Sequence, residues 1–196
     1  MPVTLTVSYG EATAHTHPVR RERLDRAELE RELERLHTES WGWALACVGR
    51  DRDVAQEVLQ TMYERVLSGV AAYDGRSSFR TWAFGVIRLT ALEELRRRRR
   101  YASRVDDDAV VLESCDPAPG PDLLAERAER AAALAAALAR LSPRQREVLQ
   151  LVFYHDMTIE DAAGVMRVSL GSARTHYERG KKALAALLMS AAGGIR

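Results

Sequence analysis

The stretch DAAGVMRVSLGSARTHYERGKK, Asp161 to Lys182, begins as one helix and ends as another. Thr158, just ahead of it, is a capping residue type, and Asp161 brings negative charge to the positive end of the first helix. Ile159, Ala162, Ala163 and Met166 recur at helical spacing and form its apolar side. Arg167-Val168 breaks the period, and Ser169 can cap a new helix from Leu170. On that second helix Leu170, Ala173, Tyr177 and Leu184 face inward. Ser172, Arg174, Thr175, Glu178, Arg179 and Lys182 are left facing out. Two helices joined by so short a turn make a helix-turn-helix, whose second helix fits the major groove of DNA with its N-terminal residues at the base edges. The positive charge of that face, Lys182 included, suits phosphates. Arg174 and Arg179 can pair with guanine or phosphate, and Ser172 and Thr175 are short enough for bases or backbone. An ordinary helical hairpin with a solvated polar face fits the same pattern.

Working outward, the rest of the chain is also helical in pattern, and an all-α fold is expected. Leu29, Leu33, Leu36, Trp43 and Cys47 share a stripe that predicts one helix from about Asp25 to Gly49. Val54, Val58, Met62 and Val66 predict a second, from about Asp51 to Leu67. Asp74-Gly75 signals a turn, after which Ser77 or Ser78 can cap a third helix through Phe79, Trp82, Val86 and Leu89 into Arg96 to Arg100. Between Ser103 and Asp122 the composition changes to Asp, Glu, Pro and Gly, including Asp106 to Asp108 and Pro117, Pro119 and Pro121. Proline removes backbone donors and like charges repel, so the segment is expected to be a flexible acidic linker. An Ala-rich helical pattern then runs from Leu123 to Arg140. Ser142-Pro143 is a cap followed by proline at the first helical position, opening a helix with Val148, Leu149, Val152 and Phe153 on its apolar side. The expected plan is a tail over 1–24, a three- to four-helix domain over 25–102, the linker over 103–122 and a helix-turn-helix domain over 123–190.

Composition narrows the function classes. The chain has 196 residues, 46% of them hydrophobic, which is enough for one large or two small cores. Net charge is only +1, so its uneven placement matters more than its sum. Cys47 and Cys115 are far apart, which indicates neither a disulfide framework nor a zinc site and fits a reducing cytoplasm. No apolar run is long enough to span a bilayer, and the N-terminus lacks the pattern of a secretion signal. His15, His17, His37, His155 and His176 are scattered, with no carboxylate cluster or metal spacing, and there is no phosphate-cradling glycine loop. Neither catalysis nor a cofactor is expected.

The stretch SSFRTWAFGVIRLTALEELRRRRR, Ser77 to Arg100, sets Phe79, Trp82 and Phe84 near Arg80 and Arg88. Aromatic planes beside cations are what unstacked single-stranded bases require. The same aromatics fall at helical spacing and fit a core, and the arginine run also suits a solvated helix C-terminus.

Together the two halves resemble the extracytoplasmic-function sigma factors of bacterial RNA polymerase, over roughly Leu36 to Leu188. AQEVLQTMYERV (Ala55 to Val66), YDGRSSFRTWAFGVIRLTALEELRRRRR (Tyr73 to Arg100) and LARLSPRQREVLQLVFYHDMTIEDAAGVMRVSLGSARTHYERGKKAL (Leu138 to Leu184) carry the resemblance, in that order. It implies a non-catalytic subunit that docks on core RNA polymerase and directs it to promoter DNA. It assigns Gln56, Glu57, Gln60 and Arg65 to the polymerase clamp helices. It assigns Arg80, Trp82, Arg88, Arg96, Arg97, Arg98, Arg99 and Arg100 to the minus-ten element, and Ser172, Arg174, Thr175 and Arg179 to the minus-thirty-five element. It further implies a linker threaded through the polymerase and an anti-sigma factor as regulator. The chain departs from the family pattern at Thr61, Gly85 and Leu89, and its segment up to about Arg23 lies outside the resemblance. A stand-alone helix-turn-helix regulator would account for the C-terminal half but leave Ser77 to Arg100 without a role.

Overall fold

The computed structural model of the chain describes residues 24–102 and 123–193. The expected tail up to residue 23 and the expected linker over 103–122 lie outside the described residues. The fold is all-α and divides into two compact units, with four α-helices described in each.

In the first unit, α1 (Arg26–Arg35) starts at a capping box. Asp25 Oδ1 accepts from the Glu28 N–H and Glu28 Oε2 from the Asp25 N–H, each at 2.8 Å. The single helix expected to Gly49 is instead two, because the path breaks at Leu36 before α2 (His37–Cys47) begins. The break leaves Leu33 and Leu36 buried while α1 leans on α3 and α2 packs against both α3 and α4. Asp51 caps α3 (Arg52–Leu67) through the Val54 N–H at 3.0 Å. The predicted stripe of Val54, Val58, Met62 and Val66 is buried, joined by Leu59.

The Asp74-Gly75 turn forms with Gly75 at φ 71°, a conformation without steric cost only for glycine. Ser78, not Ser77, caps α4 (Phe79–Ala102), its Oγ accepting from the Thr81 N–H at 3.1 Å. This helix is the centre of the unit. Phe79, Trp82, Ala83, Phe84, Val86, Ile87 and Ala91 are all buried, so its first half is enclosed on every side. Each large apolar side chain so enclosed contributes about 1.5–3 kcal/mol.

In the second unit, α5 (Leu123–Ala139) ends under the side chain of Arg146. Its guanidinium donates to the carbonyls of Leu138 at 2.8 Å, Ala139 at 2.6 Å and Leu141 at 3.3 Å, satisfying helix-end acceptors. The Ser142-Pro143 start predicted for α6 (Pro143–Leu149) forms, completed by Gln145 as a capping box. A π-helical turn over Gln150–Tyr154 then follows directly. Its wider turn changes the register and corrects the expected apolar side: Leu151 is fully buried, whereas Phe153 is 60% exposed and stacks on Tyr177 at 5.8 Å. Thr158 caps α7 (Ile159–Met166), accepting from the Asp161 N–H at 3.0 Å. Ser169 caps α8 (Leu170–Gly193) through the Ser172 N–H at 3.1 Å.

Candidate nucleic-acid interface

The break between α7 and α8 is built on Arg167, which closes α7 in the left-handed conformation at φ 55° and ψ 50°. That conformation costs a non-glycine residue roughly 1–2 kcal/mol and turns the chain sharply enough for α8 to restart. Arg144 steadies the turn from α6, donating to the Met166 carbonyl at 3.3 Å and to Glu147 at 3.1 Å.

On α8 the predicted faces are realised. Ala173 is fully buried, Leu170, Tyr177 and Leu184 are half-buried, and Ser172, Arg174, Thr175, Glu178, Arg179 and Lys182 are exposed. At about 100° per residue, Thr175 and Lys182 share the centre of the outward face, with Arg174 and Arg179 on opposite flanks. A convex face with cations on both sides matches a groove bounded by two phosphate strands. The Thr175 hydroxyl donates to the Gly171 carbonyl at 2.9 Å, which leaves its lone pairs and methyl group to meet a base edge. The Ser172 hydroxyl accepts from Ser169 at 2.9 Å, within the cap itself.

Sequence reasoning passed over Gly180. It is buried where α8 crosses α6, and a Cβ there would stand 3.1 Å from Gln145 Cβ and 3.2 Å from Leu149 Cδ1. A glycine at a helical inward position is the signal that could have marked this crossing. Lys181, one residue on, lies 4.9 Å over the Tyr177 ring.

The first unit distributes its candidates less simply. Trp82 is 1% exposed, packed with Phe79 and Tyr73 at 5.3 and 5.4 Å, so the tryptophan expected at DNA is a core residue in this structure. Its indole N–H meets no acceptor among the described residues. Arg88 is 7% exposed, enclosed with α4, and also departs from the expected DNA face. Arg80 pairs with Glu39 at 2.6 Å and lies 5.6 Å over the Phe84 ring, fastening α4 to α2. Arg65, expected at the polymerase, turns toward α4, where it pairs with Glu93 at 2.7 Å and donates to Thr90 Oγ1 at 3.2 Å. Tyr73, in the loop before α4, donates its hydroxyl to the Ser77 carbonyl at 2.6 Å. Burial, with help from Asp74 and Glu32, holds that phenol above its ordinary range.

Beyond the core, α4 emerges as the arginine run. Arg96 and Arg99 are exposed and make no ion pair among the described residues, while Arg100 is also exposed. Arg97 and Arg98 are both gripped by Glu94, at 2.6 and 2.7 Å. Those hydrogen bonds, Arg97's foremost, hold the Glu94 carboxyl below its ordinary range. Glu57 of α3 reaches the same two guanidinium groups, 2.9 Å from Arg98 and 3.8 Å from Arg97. Around Glu57, Gln56 and Gln60 are exposed on α3, with Gln60 donating to Glu64 at 3.2 Å. At the departures from the family pattern, Gly85 is buried and Thr61 and Leu89 are half-buried.

Comparison with known proteins places these two units in a family. The profile of sigma-70 region 2 matches residues 33–101, and that of sigma-70 region 4 matches residues 131–184. The ECF RNA polymerase sigma factor SigX of Bacillus subtilis is 30% identical over 137 residues, 69% of this chain and 71% of SigX. The chain belongs to the ECF sigma factors. EcfG of Rhodopseudomonas palustris, another, is 29% identical over 136 residues, covering 69% of this sigma factor and 72% of EcfG. Its fold is shared with the sigma factor RpoE from Bartonella quintana, solved in complex with the anti-sigma factor NepR, at a TM-score of 0.61 and 21% identity over 82% of this chain and 96% of that one. A second solved structure, CnrH in complex with the cytosolic domain of CnrY, shares the fold at a TM-score of 0.56 and 19% identity, covering 85% of this chain and 90% of that one. This sigma factor has, among its described residues, no helix long and apolar enough to cross a membrane and no cluster of potential metal ligands.

Proposed function

We propose that this sigma factor docks on core RNA polymerase in the cytoplasm and directs it to promoter DNA, performing no chemistry of its own. The observation that carries the reading is the outward face of α8, where Ser172, Arg174, Thr175, Arg179 and Lys182 stand exposed on a helix whose other side is packed against α6 and α7. In this reading that face enters the major groove at the minus-thirty-five element. The exposed Gln56, Glu57 and Gln60 of α3 meet the polymerase. Arg96, Arg99 and Arg100 at the end of α4 neutralise phosphates near the minus-ten element, and the acidic segment 103–122 is the tether between the two units. An anti-sigma factor is the proposed regulator, by analogy with RpoE, whose structure holds the anti-sigma factor NepR.

The test is run-off transcription with purified core polymerase and DNA recovered by mapping this chain on its genome. Specific transcripts are expected only when the chain is added. Equal transcription without it would overturn the reading. Gel filtration with core polymerase separates it from a stand-alone regulator, which would elute as a free homodimer.

A further inference from the structure

Glu57 belongs to two surfaces at once. It lies beside Gln56 and one turn before Gln60 on the exposed side of α3, and its carboxylate crosses to the end of α4, 2.9 Å from Arg98 and 3.8 Å from Arg97. The two arginines also share Glu94. The two attachments differ in kind. Glu94 lies one turn back on the same helix and is only 15% exposed, so it stays with Arg97 and Arg98 whatever docks. Glu57 lies on another helix and is half exposed, so a donor arriving on α3 can take it. Two carboxylates balance the two guanidiniums of Arg97 and Arg98, and removing one adds a cation to those of Arg96, Arg99 and Arg100 at the same end of α4.

We propose that Glu57 is a positioning residue that couples the two surfaces: its recruitment by polymerase releases Arg98 toward nucleic-acid phosphate, and phosphate on Arg98 releases Glu57 toward polymerase. The coupling is reciprocal by thermodynamic necessity. Because the pair is partly exposed and screened, the expected size is roughly two- to fivefold in either affinity. The inference rests on the proposed roles of α3 and of the α4 arginines.

Two measurements on the full-length chain test it. The first is binding to a fluorescein-labelled oligo-dT of about 20 nucleotides over a range of salt concentrations. Glu57→Gln is expected to bind about two- to fivefold more tightly, with the slope of log K against log salt steeper by about 0.7, one added phosphate contact on a single strand. Glu64→Gln, the same charge change on α3, is expected to lack the steeper slope, and the Glu57→Gln gain is expected to vanish in Arg98→Gln. The second is affinity for core RNA polymerase without DNA. Arg98→Gln, which leaves Glu57 only the longer 3.8 Å contact with Arg97, is expected to bind more tightly by a similar factor, and not when Glu57→Gln is also present.

Glu57→Gln behaving like Glu64→Gln, or Arg98→Gln leaving polymerase affinity unchanged, would overturn the coupling. The underlying reading is checked separately. If Arg96→Ala and Arg99→Ala also leave the oligo-dT slope unchanged, the end of α4 does not contact phosphate, and the coupling falls with it. If they lower the slope while Glu57→Gln is inert, the coupling alone fails.

Discussion

The indole N–H of Trp43 donates to the backbone carbonyl of Phe84 at 3.0 Å, and the two rings stack with centroids 5.8 Å apart and planes 6° from parallel. One side chain thus fastens α2 to the middle of α4 by both a buried hydrogen bond and an aromatic contact. Trp82, two residues before Phe84 on α4, supplies equal bulk but no such bond among the described residues.

The contrast sets a stability prediction. Trp43→Phe and Trp82→Phe both remove part of a buried ring, but only the first breaks a hydrogen bond. Trp43→Phe is expected to be the more destabilising of the two by about 1 kcal/mol. Urea unfolding followed by tryptophan fluorescence measures it. The chain has three tryptophans, Trp41, Trp43 and Trp82, all in the first unit, so the signal reports that unit. Equal losses would mean that the Trp43 bond adds nothing net.

The pH dependence follows from Glu94. Its carboxyl is held below its ordinary unfolded value, chiefly by its hydrogen bonds from Arg97, and the depressed folded value means that the unfolded chain binds the proton first. The stabilisation is therefore complete above about that value and is lost as pH falls through the lower folded one. Glu94→Gln is expected to flatten the acid limb of the first unit's stability curve while leaving a smaller, pH-independent loss near neutrality. Measuring urea midpoints from pH 3 to 7 checks it, and parallel acid limbs in the two proteins would contradict it.

Local chemistry made much of this fold readable. Asp51, Ser142, Thr158 and Ser169 each cap the helix the sequence predicts, because a cap needs only its own N-terminal turn. The outward face of α8 was readable because exposure there follows helical period alone. The break at Leu36 carries no proline or glycine and arises from what α1 and α2 pack against. The π turn hides in Val148 to Tyr154, where Gln150 is the one polar residue and the apolar side chains on both sides of it fit either inward register. Trp82 and Arg88 lie in the core and Arg65 turns toward α4 for one reason: α4 is enclosed from several sides, and periodicity locates a residue on its own helix but not the neighbour waiting opposite.

The crossing at Gly180 yields a third expectation. A side chain there must displace Gln145 or Leu149, both already near 3 Å from the position of a Cβ. Gly180→Leu adds three further carbons to that gap and is expected to cost about 1–3 kcal/mol by overpacking, despite leucine's better helix propensity. The loss should fall on the second unit. Far-UV circular dichroism would show a separate early transition, with tryptophan fluorescence of the first unit unmoved. A variant as stable as the parent would show that α6 and α8 can separate without cost.

The last prediction separates reading from holding on α8. Arg174 lies in the second turn of the helix, where side chains reach base edges, and Lys182 lies eight residues later, about 12 Å along the axis. Both are exposed, so neither substitution disturbs the core. Arg174→Ala is expected to weaken binding to the promoter duplex by about 1–3 kcal/mol and to relax preference at one base pair. Lys182→Ala is expected to weaken binding to every sequence alike and to lower the salt slope by about one. Titrating both variants against a set of single-base-pair changes, at several salt concentrations, distinguishes the two roles. Loss of preference in Lys182→Ala with none in Arg174→Ala would mean that α8 sits in its groove turned the other way, with its C-terminal half at the bases.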